Sequence, residues 1–228
     1  MQILALETST TLGSCALWRD GELTELFCPP GVSHSETLLP LVRKLLADAG
    51  TGITALDGIA FGCGPGAFTG LRVACAAAQG LAVAVDLPVL PVVTLEALAW
   101  PGEASHTLAL IDARMGEVYA AAYVRAEKGL QLLGEIRVAR PEDVVFPEGS
   151  YLARGNALSA YPALAERIAA LGWQMEPQAM PGAAAVAELG ALQLRAGGGQ
   201  DAALAAPLYI RDKVAQTVAE RLAQGGRA

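Results

Sequence analysis

The chain has 228 residues, of which 53% are hydrophobic and 17% charged, and its formal net charge is −7 at neutral pH. This length and apolar content allow a sizeable buried core and exclude an intrinsically disordered chain. The excess of acidic groups excludes a broad electrostatic footprint for nucleic acid, so any role on a nucleic acid has to run through a partner.

The first half of the chain predicts three strands, a helix, a strand and a helix, then one more strand and a short helix. Asp20-Gly21 between two alternating segments indicates a β-hairpin. Ser33 is predicted to cap the first helix, with Glu36 completing a capping box. The predicted strands are 3–7, 13–19, 22–28, 58–62 and 88–93, and the predicted helices are 34–50, 67–85 and 94–100.

The second half repeats this order after a seam at Pro101-Gly102. It predicts strands at 107–112, 117–125, 130–138 and 151–154, a short helix from Pro141, and helices at 158–171 and from 181 onward, with a break at 197–199. A βββαβα order laid down twice predicts an α/β protein with an N-terminal lobe, 1–101, and a smaller second lobe, 102–228. This prediction also permits the C-terminal helix of the second lobe to pack on the first lobe. This architecture resembles the ribonuclease-H-like, actin-like (ASKHA) topology, in which ligands bind between the lobes.

Neither a membrane segment nor a disulfide pattern is predicted. The longest apolar stretch, 73–85, is shorter than the about 18 residues that a spanning helix needs. No secretory signal opens the chain, since Glu7 interrupts the first apolar run. The sequence therefore predicts a cytoplasmic protein. The four cysteines are predicted to be reduced and buried, because they contain no Cys-x-x-Cys pair and lie in apolar sequence: Cys15, Cys28, Cys63 and Cys75.

Two polar turns hold candidate ligands for a phosphate or its metal ion. Glu7, Thr8 and Ser9 follow the first strand of the first lobe. Asp112 and Arg114 hold the equivalent place in the second lobe, where a carboxylate suits a metal and a guanidinium suits a phosphate. The alternatives are a polar hairpin turn in the first lobe and a salt-bridged hairpin in the second.

A glycine-rich loop lies between the strand at 58–62 and the long helix after it. Gly64 and Gly66 free the backbone to approach a ligand, and a helix N-terminus comes next with unpaired N–H groups. The loop is neither a Walker loop nor a Gly-x-Gly-x-x-Gly fingerprint. It is therefore either an anion-binding loop or a tight structural turn.

No catalytic constellation can be assembled from the remaining residues. His34 and His106 are the only histidines, and His34 stands at a helix start, where a cap or surface role is the alternative to a metal ligand. The sequence contains no Gly-x-Ser-x-Gly elbow and no paired histidines at helical spacing. We therefore assign no catalytic and no metal-binding residue.

The two long helices of the first lobe are more apolar than one sheet requires. The helix predicted at 34–50 has a wide stripe of leucines. The helix predicted at 67–85 has strongly polar side chains only at Thr69, Arg72 and Gln79, which share one narrow stripe with Ala76 and Val83. If these helices pack side by side on the sheet, they expose an apolar patch to solvent, and such a patch on a soluble protein indicates a binding partner. The alternative is that the second lobe or the C-terminal helix covers them.

With these residues identified, the sequence resembles the TsaB (YeaZ) family of bacterial proteins of tRNA threonylcarbamoyladenosine synthesis. The resemblance extends through nearly the whole chain and rests on several segments taken together: ILALETST at 3–10, HSETLLP at 34–40, GPGAFTGLR at 64–72, TLEALA at 94–99, IDARMGEVY at 111–119 and PLYIRDKVA at 207–215.

The resemblance implies a non-catalytic paralogue of the transferase TsaD. TsaD binds its metal through two histidines of a His-Met-Glu-Ala-His segment, and the matching positions here are Thr94 and Leu98. The acidic pair that comes after the first strand in TsaD is replaced by Thr11 and Leu12. The implied protein thus has no cofactor of its own, and ATP or ADP and the metal belong to its partners.

The implied role is a scaffold that forms a heterodimer with TsaD and recruits the ATPase TsaE. The complex transfers threonylcarbamoyl to the adenosine beside the anticodon of tRNAs that read codons beginning with A, and this subunit meets tRNA only through the complex. A homodimer through the same surface is plausible in isolation. The rival hypotheses are an actin-like ATPase or kinase, or a peptidase, acting alone. The expected partner-interface residues are His34, Leu38, Leu41, Leu45, Phe68, Arg72, Ala76 and Gln79.

Overall fold

The structure, a computed structural model, describes residues 1–127 and 129–210. The first half forms a five-stranded sheet in the order β3-β2-β1-β4-β5. Strands β1, β2 and β3 are antiparallel, whereas β1, β4 and β5 are parallel. The strands are β1 Gln2–Glu7, β2 Ser14–Arg19, β3 Glu22–Phe27, β4 Gly58–Gly64 and β5 Val89–Val93.

The second half forms a sheet of the same design, in the order β10-β9-β6-β7-β8. Its first three strands are again antiparallel neighbours, and β6, β9 and β10 are parallel. The predicted duplication is therefore confirmed, with β10 as a strand that was not predicted from the sequence. The strands are β6 His106–Arg114, β7 Glu117–Ala126, β8 Gly129–Ala139, β9 Leu152–Arg154 and β10 Gln174–Glu176.

The helices cover both faces of the first sheet and bridge it to the second. Helices α1 and α2 pack on the face that carries Leu4 and Leu6, and α6 packs on the opposite face against Ile3 and Ala5. Helix α3 lies between the two sheets, and α4 and α5 pack on the second. The helices are α1 His34–Asp48, α2 Phe68–Val85, α3 Thr94–Ala99, α4 Ala157–Ala160, α5 Pro162–Ala169 and α6 Ala183–Arg195.

Three local predictions are wrong. The Ser33 side chain makes no capping bond, because its hydroxyl pairs with Ser35 Oγ at 2.7 Å instead. The predicted helix at 158–171 is two helices, since Pro162 lacks the N–H that a continuing helix needs and begins α5. The helix predicted from Pro141 is a single 3-10 turn, Pro141–Asp143.

Side chains from both halves meet at the seam. Trp100 donates its indole N–H to Glu188 of α6, and Arg125 Nη2 of β7 donates to the Trp100 carbonyl at 2.7 Å. Although α6 comes after the seam in sequence, it packs on the first sheet. The division into 1–101 and 102–228 stays a prediction.

After α6, the chain returns along the first sheet as a segment, residues 200–210, that contains the 3-10 turn Ala202–Leu204 and that we call the strap. Gln200 and Val89 exchange two backbone hydrogen bonds of 3.0 Å. Gln79 of α2 donates to the carbonyls of Ala202 and Ala205, both at 3.1 Å, and the Leu208 N–H donates to the Cys63 carbonyl at 2.7 Å. The strap therefore runs from β5 along α2 to the end of β4. The part of the C-terminal prediction beyond residue 210 lies outside the described residues.

Helix α2 is the one described helix that is long and apolar enough to cross a membrane, by length and composition alone. Core helices pass the same test, and α2 buries Leu71, Ala74, Ala78 and Ala82 in the protein. The helix therefore has a packing reason for its apolar composition.

The cysteine prediction is confirmed, since all four are free and buried. Burial raises the pKa of the Cys15 thiol and of the Cys63 thiol to about 12, because the core does not solvate a thiolate.

Candidate functional site

A cleft between the two halves forms a cavity of about 290 Å³. The turn after β1, the start of α2, the β6–β7 turn and the strap contribute to its walls. Such a crevice at the strand ends is where an α/β protein of this topology offers a ligand site. Its lining residues include Ser9, Thr10, Gly66, Phe68, Asp112, Arg114, Asn156, Leu208, Tyr209 and Ile210.

Glu7, predicted to face a ligand, is fully buried and does not line this cleft. Its Oε1 accepts a 2.6 Å hydrogen bond from the Ser9 N–H, and Oε2 has no hydrogen-bond partner. Desolvation by burial raises the pKa of Glu7. The hydrogen bonds to Ser9 lower the pKa by less, so the net shift is upward. The chain itself therefore encloses this carboxyl group, and its expected role toward a phosphate or a metal stays a prediction.

Thr8 is also enclosed by its own chain. Its hydroxyl donates to the Gly70 carbonyl at 2.7 Å, and the Ser9 carbonyl accepts from the Ala67 N–H at 2.7 Å. A Cβ added at Gly70 would lie 1.8 Å from the Thr8 carbonyl oxygen. The turn after β1 thus packs directly on the N-terminus of α2, and only Ser9 of the three predicted residues lines the cleft.

Gly64 and Gly66 allow similarly close contacts within the chain. Gly64 adopts φ +117° and donates its N–H to Thr94 Oγ1 at 3.1 Å. A Cβ added at Gly64 would lie 2.8 Å from the Leu208 carbonyl oxygen. At Gly66 an added Cβ would lie 2.6 Å from Ser9 Cβ. Packing alone thus requires both glycines. The anion-binding role stays a prediction.

Asp112 and Arg114 lie together at the open side of the cleft. Asp112 Oδ1 accepts from the Tyr161 hydroxyl at 2.8 Å and from the Arg114 N–H at 2.9 Å, and Arg114 Nη1 lies 3.3 Å from Oδ2. Burial raises the pKa of Tyr161 to about 12, and the hydrogen bond to Asp112 adds to this rise. The salt-bridged hairpin therefore exists, with the Arg114 side chain 69% exposed.

Thr94 and Leu98, which the resemblance places at the metal-ligand positions of TsaD, do not suit a metal. Thr94 is fully buried and its hydroxyl accepts the Gly64 N–H, while Leu98 packs in the core between the sheets. Within residues 1–127 and 129–210, no group of three or more His, Cys, Asp or Glu side chains is arranged to hold a metal ion. A hydroxyl already engaged and a hydrocarbon provide no ligand set.

A second concave surface lies outside, between α1 and α2, with a volume of about 460 Å³. We call it the α1/α2 groove. Its rim includes Leu39 and Phe68, which are 49% and 45% exposed. Most of its lining is hydrocarbon: Ser35, Leu38, Leu39, Phe68, Thr69, Arg72, Val73, Ala76 and Ala77.

The structure places the expected interface residues in different surroundings, and their role at an interface stays a prediction. Phe68, Arg72 and Ala76 are exposed at the groove, as expected, and His34 and Leu41 are half-buried. Three expected residues are engaged within the chain. Leu45 points with Val42 into the core, Leu38 is buried in the same core at the bottom of the groove, and Gln79 binds the strap.

Tyr209 is a neighbour of the groove that was not predicted as a site residue. Its ring centroid lies 5.9 Å from that of Phe68, and Arg72 Cζ lies 5.5 Å from the Tyr209 ring. No periodicity links Tyr209 to α2, because the strap brings it there from the far end of the chain. Its place in the segment 207–215, which resembles the TsaB family, was the one available signal.

The fold and site define a class of protein that comparison with known families confirms. A family model described as "TsaD: tRNA N6-adenosine threonylcarbamoyltransferase" matches residues 31–218. Together with the duplicated sheets, this match identifies a two-lobed actin-like protein of the TsaD kind.

The relatives narrow this class. The chain is 39% identical over 175 residues to the "tRNA threonylcarbamoyladenosine biosynthesis protein TsaB" of Escherichia coli K12, covering 72% of this chain and 75% of that protein. It is 42% identical over 155 residues to the protein of that name from Haemophilus influenzae, covering 65% of each. A solved structure titled "YeaZ from Pseudomonas aeruginosa" superposes with a TM-score of 0.82 at 35% identity, covering 91% of this chain and 99% of that one. The chain therefore belongs to the TsaB family.

Proposed function

We propose that this chain takes part in the synthesis of threonylcarbamoyladenosine in tRNA as a non-catalytic subunit that docks on a TsaD-type transferase through the α1/α2 groove. The observation that carries the proposal is the exposed, largely hydrocarbon surface of that groove. A patch of this kind on a folded chain is typical of an interface, because a partner removes its apolar area from water.

Two features of the first lobe support a non-catalytic role. The Glu7 carboxyl and the Thr8 hydroxyl are enclosed by the chain and do not line the cleft. Thr94 and Leu98 stand where the transferase has its metal ligands, and neither suits a metal. In this proposal the metal and the nucleotide belong to the partners, with a TsaE-type ATPase as a further subunit.

The charge of the chain supports an indirect relation to tRNA. With a net charge of −7, the chain repels a polyanion, so the partner has to supply the cations that bind the phosphate backbone. The same charge keeps the free subunit in solution, although its groove is apolar.

Co-purification with the TsaD-type subunit of the same genome tests the docking. Ala76 is exposed in the groove, so Ala76→Arg should abolish binding and leave the fold intact. Ala84 is exposed on the same helix outside the groove, so Ala84→Arg is the matched control and should bind like the wild type. If Ala76→Arg binds the TsaD-type subunit as tightly as the wild type does, the groove is not the docking surface.

The cleft favours a second candidate, an actin-like ATPase or kinase that acts alone. Its cavity has Asp112 and Arg114 at one side, groups that suit a metal and a phosphate. Calorimetry of the purified chain with Mg-ATP decides this alternative, because a lone ATPase has to bind the nucleotide without a partner. A peptidase activity is tested by incubating the chain with peptide substrates, with and without a chelator.

A further inference from the structure

In the part of the chain that the structure describes, the α1/α2 groove carries a single charge. Of its nine described lining residues only Arg72 has a charged side chain, and that side chain is exposed on α2. Every other lining group is a hydrocarbon, an aromatic ring or a hydroxyl. A partner that covers this groove therefore has to deal with one cation in apolar surroundings.

Two aromatic rings hold the Arg72 guanidinium. Its Cζ lies 3.2 Å from the centroid of the Phe68 ring and 5.5 Å from that of Tyr209. Stacking of this kind uses the faces of the guanidinium and leaves its N–H edges to donate. In residues 1–127 and 129–210, no carboxylate lies within salt-bridge distance of Arg72.

Covering an unpaired guanidinium with apolar surface is costly, because the charge loses its water. A carboxylate removes this cost when it accepts two parallel N–H bonds from the guanidinium, the geometry for which a stacked arginine is already arranged. We infer that the groove is built for a protein segment with apolar side chains and one Asp or Glu carboxylate that pairs with Arg72. This inference rests on the proposed function, because it names the chemistry of the partner at the same groove.

A phosphate of a nucleic acid fits this groove less well than a carboxylate of a protein. The described lining of the groove offers one cation, and the whole chain has a net charge of −7, so a polyanion meets repulsion. The hydrocarbon lining gives a sugar-phosphate backbone nothing to bind, whereas it suits the apolar side chains of a protein interface.

The test measures binding of the TsaD-type subunit of the same genome to purified full-length variants at low and at high salt. Arg72→Met keeps an unbranched, flexible side-chain stem and removes the charged guanidinium. We expect it to weaken binding at low salt by roughly 30-fold or more, as for other desolvated pairs that lose one member. Arg72→Lys should recover only part of this loss, because an ammonium cannot make the flat two-bond pair. Arg43 is exposed on α1 and does not line the groove, so Arg43→Met is the matched control and should bind like the wild type.

The outcomes separate the inference from the proposed function. If the wild type does not bind the TsaD-type subunit, the proposed function fails. If the wild type binds and folded Arg72→Met binds equally well with the same salt dependence, docking stands and the carboxylate pairing is wrong. Circular dichroism of each variant shows that the comparison is between folded proteins.

Asp212, three positions after Tyr209, is the carboxylate of this chain that lies nearest to Tyr209 in sequence, so the test has to address it. Asp212→Asn should leave binding and its salt dependence unchanged if the partner provides the carboxylate. If Asp212→Asn instead removes the salt dependence as Arg72→Met does, the pair is intramolecular and the inference is overturned.

Discussion

The turn after β1 and the turn after β6 have the same place in the topology of their sheets, but the first is buried and the second is exposed. After β1, Glu7 and Thr8 are fully buried and bond to groups of their own lobe. After β6, Asp112 and Arg114 form a salt bridge beside the cleft, and the Arg114 side chain is mostly exposed. We call them the enclosed turn and the open turn.

The difference lies in how closely the rest of the protein packs against each turn. The enclosed turn packs on the N-terminus of α2, where Gly70 lets the Thr8 carbonyl approach the helix backbone. At the open turn Gly116 has no atom within 4 Å of the place of a Cβ. Topology therefore determines where a turn lies, and the packing around it determines whether its polar groups meet a ligand or the chain itself.

The largest expected effect is at the contact between the enclosed turn and α2. Gly70→Ala places a methyl group 1.8 Å from the Thr8 carbonyl oxygen, so the backbone has to move. We expect the free energy of unfolding to fall by about 3 kcal/mol or more, measured by urea denaturation.

Gly80 provides the matched control in the same helix, because a Cβ there has no atom within 4 Å. Gly80→Ala should raise stability by about 0.5–1 kcal/mol through helix propensity alone. Equal effects of the two substitutions would contradict the close packing of the enclosed turn.

The hydroxyl of Thr8 should contribute a smaller amount. Thr8→Val keeps the shape of the side chain and removes the buried hydrogen bond to the Gly70 carbonyl. We expect a loss of about 1–2 kcal/mol in the free energy of unfolding. An unchanged urea midpoint would show that this bond does not hold the turn to α2.

The buried carboxyl of Glu7 should make stability depend on pH. Desolvation raises the pKa of Glu7 in the folded state above its ordinary value of 4.5. Below that value the group is protonated in both states. At higher pH the unfolded chain releases the proton and the folded chain retains it, so stability falls by up to about 1.4 kcal/mol per pH unit.

Glu7→Gln should remove this fall, because the amide resembles the protonated acid and does not titrate. Thermal unfolding of both proteins between mild acid and neutral pH checks the difference in slope. A parallel pH dependence of wild type and variant would mean that the folded protein ionises Glu7.

The smallest expected effect is at the open turn. Tyr161→Phe removes the hydroxyl that donates to Asp112 at 2.8 Å. Because water reaches this side of the cleft, we expect a loss of only about 0.5–1 kcal/mol in the free energy of unfolding. A loss as large as that of Thr8→Val would remove the contrast between the two turns.

Much of the fold could be predicted from the sequence because its signals are local. The Asp20-Gly21 turn has φ +47° and +100°, as a tight hairpin requires. Both sheets have the same strand order, although a 3-10 turn takes the place of the helix between β8 and β9. Strand β10 was missed because Gln174–Glu176 is three residues long and has no apolar run.

The site was harder to predict because burial is decided by distant parts of the chain. Glu7 has the sequence context of a ligand, yet Gly62 opposite it leaves the space that the carboxyl fills: an added Cβ would lie 1.9 Å from Oε2. Leu38 and Leu45 belong to a stripe wide enough to face both the core and the solvent, and only the sheet shows which side each takes. Tyr209 reaches the groove through the strap.

The most direct test of the proposed role is the rate of threonylcarbamoyl transfer to tRNA in a reconstituted mixture. We predict no transfer by this chain alone, transfer when the wild-type chain is combined with its TsaD-type and TsaE-type partners, and loss of that transfer with Ala76→Arg but not with Ala84→Arg. Transfer by the isolated chain, or full activity of the mixture with Ala76→Arg, would contradict a non-catalytic subunit that acts through the α1/α2 groove.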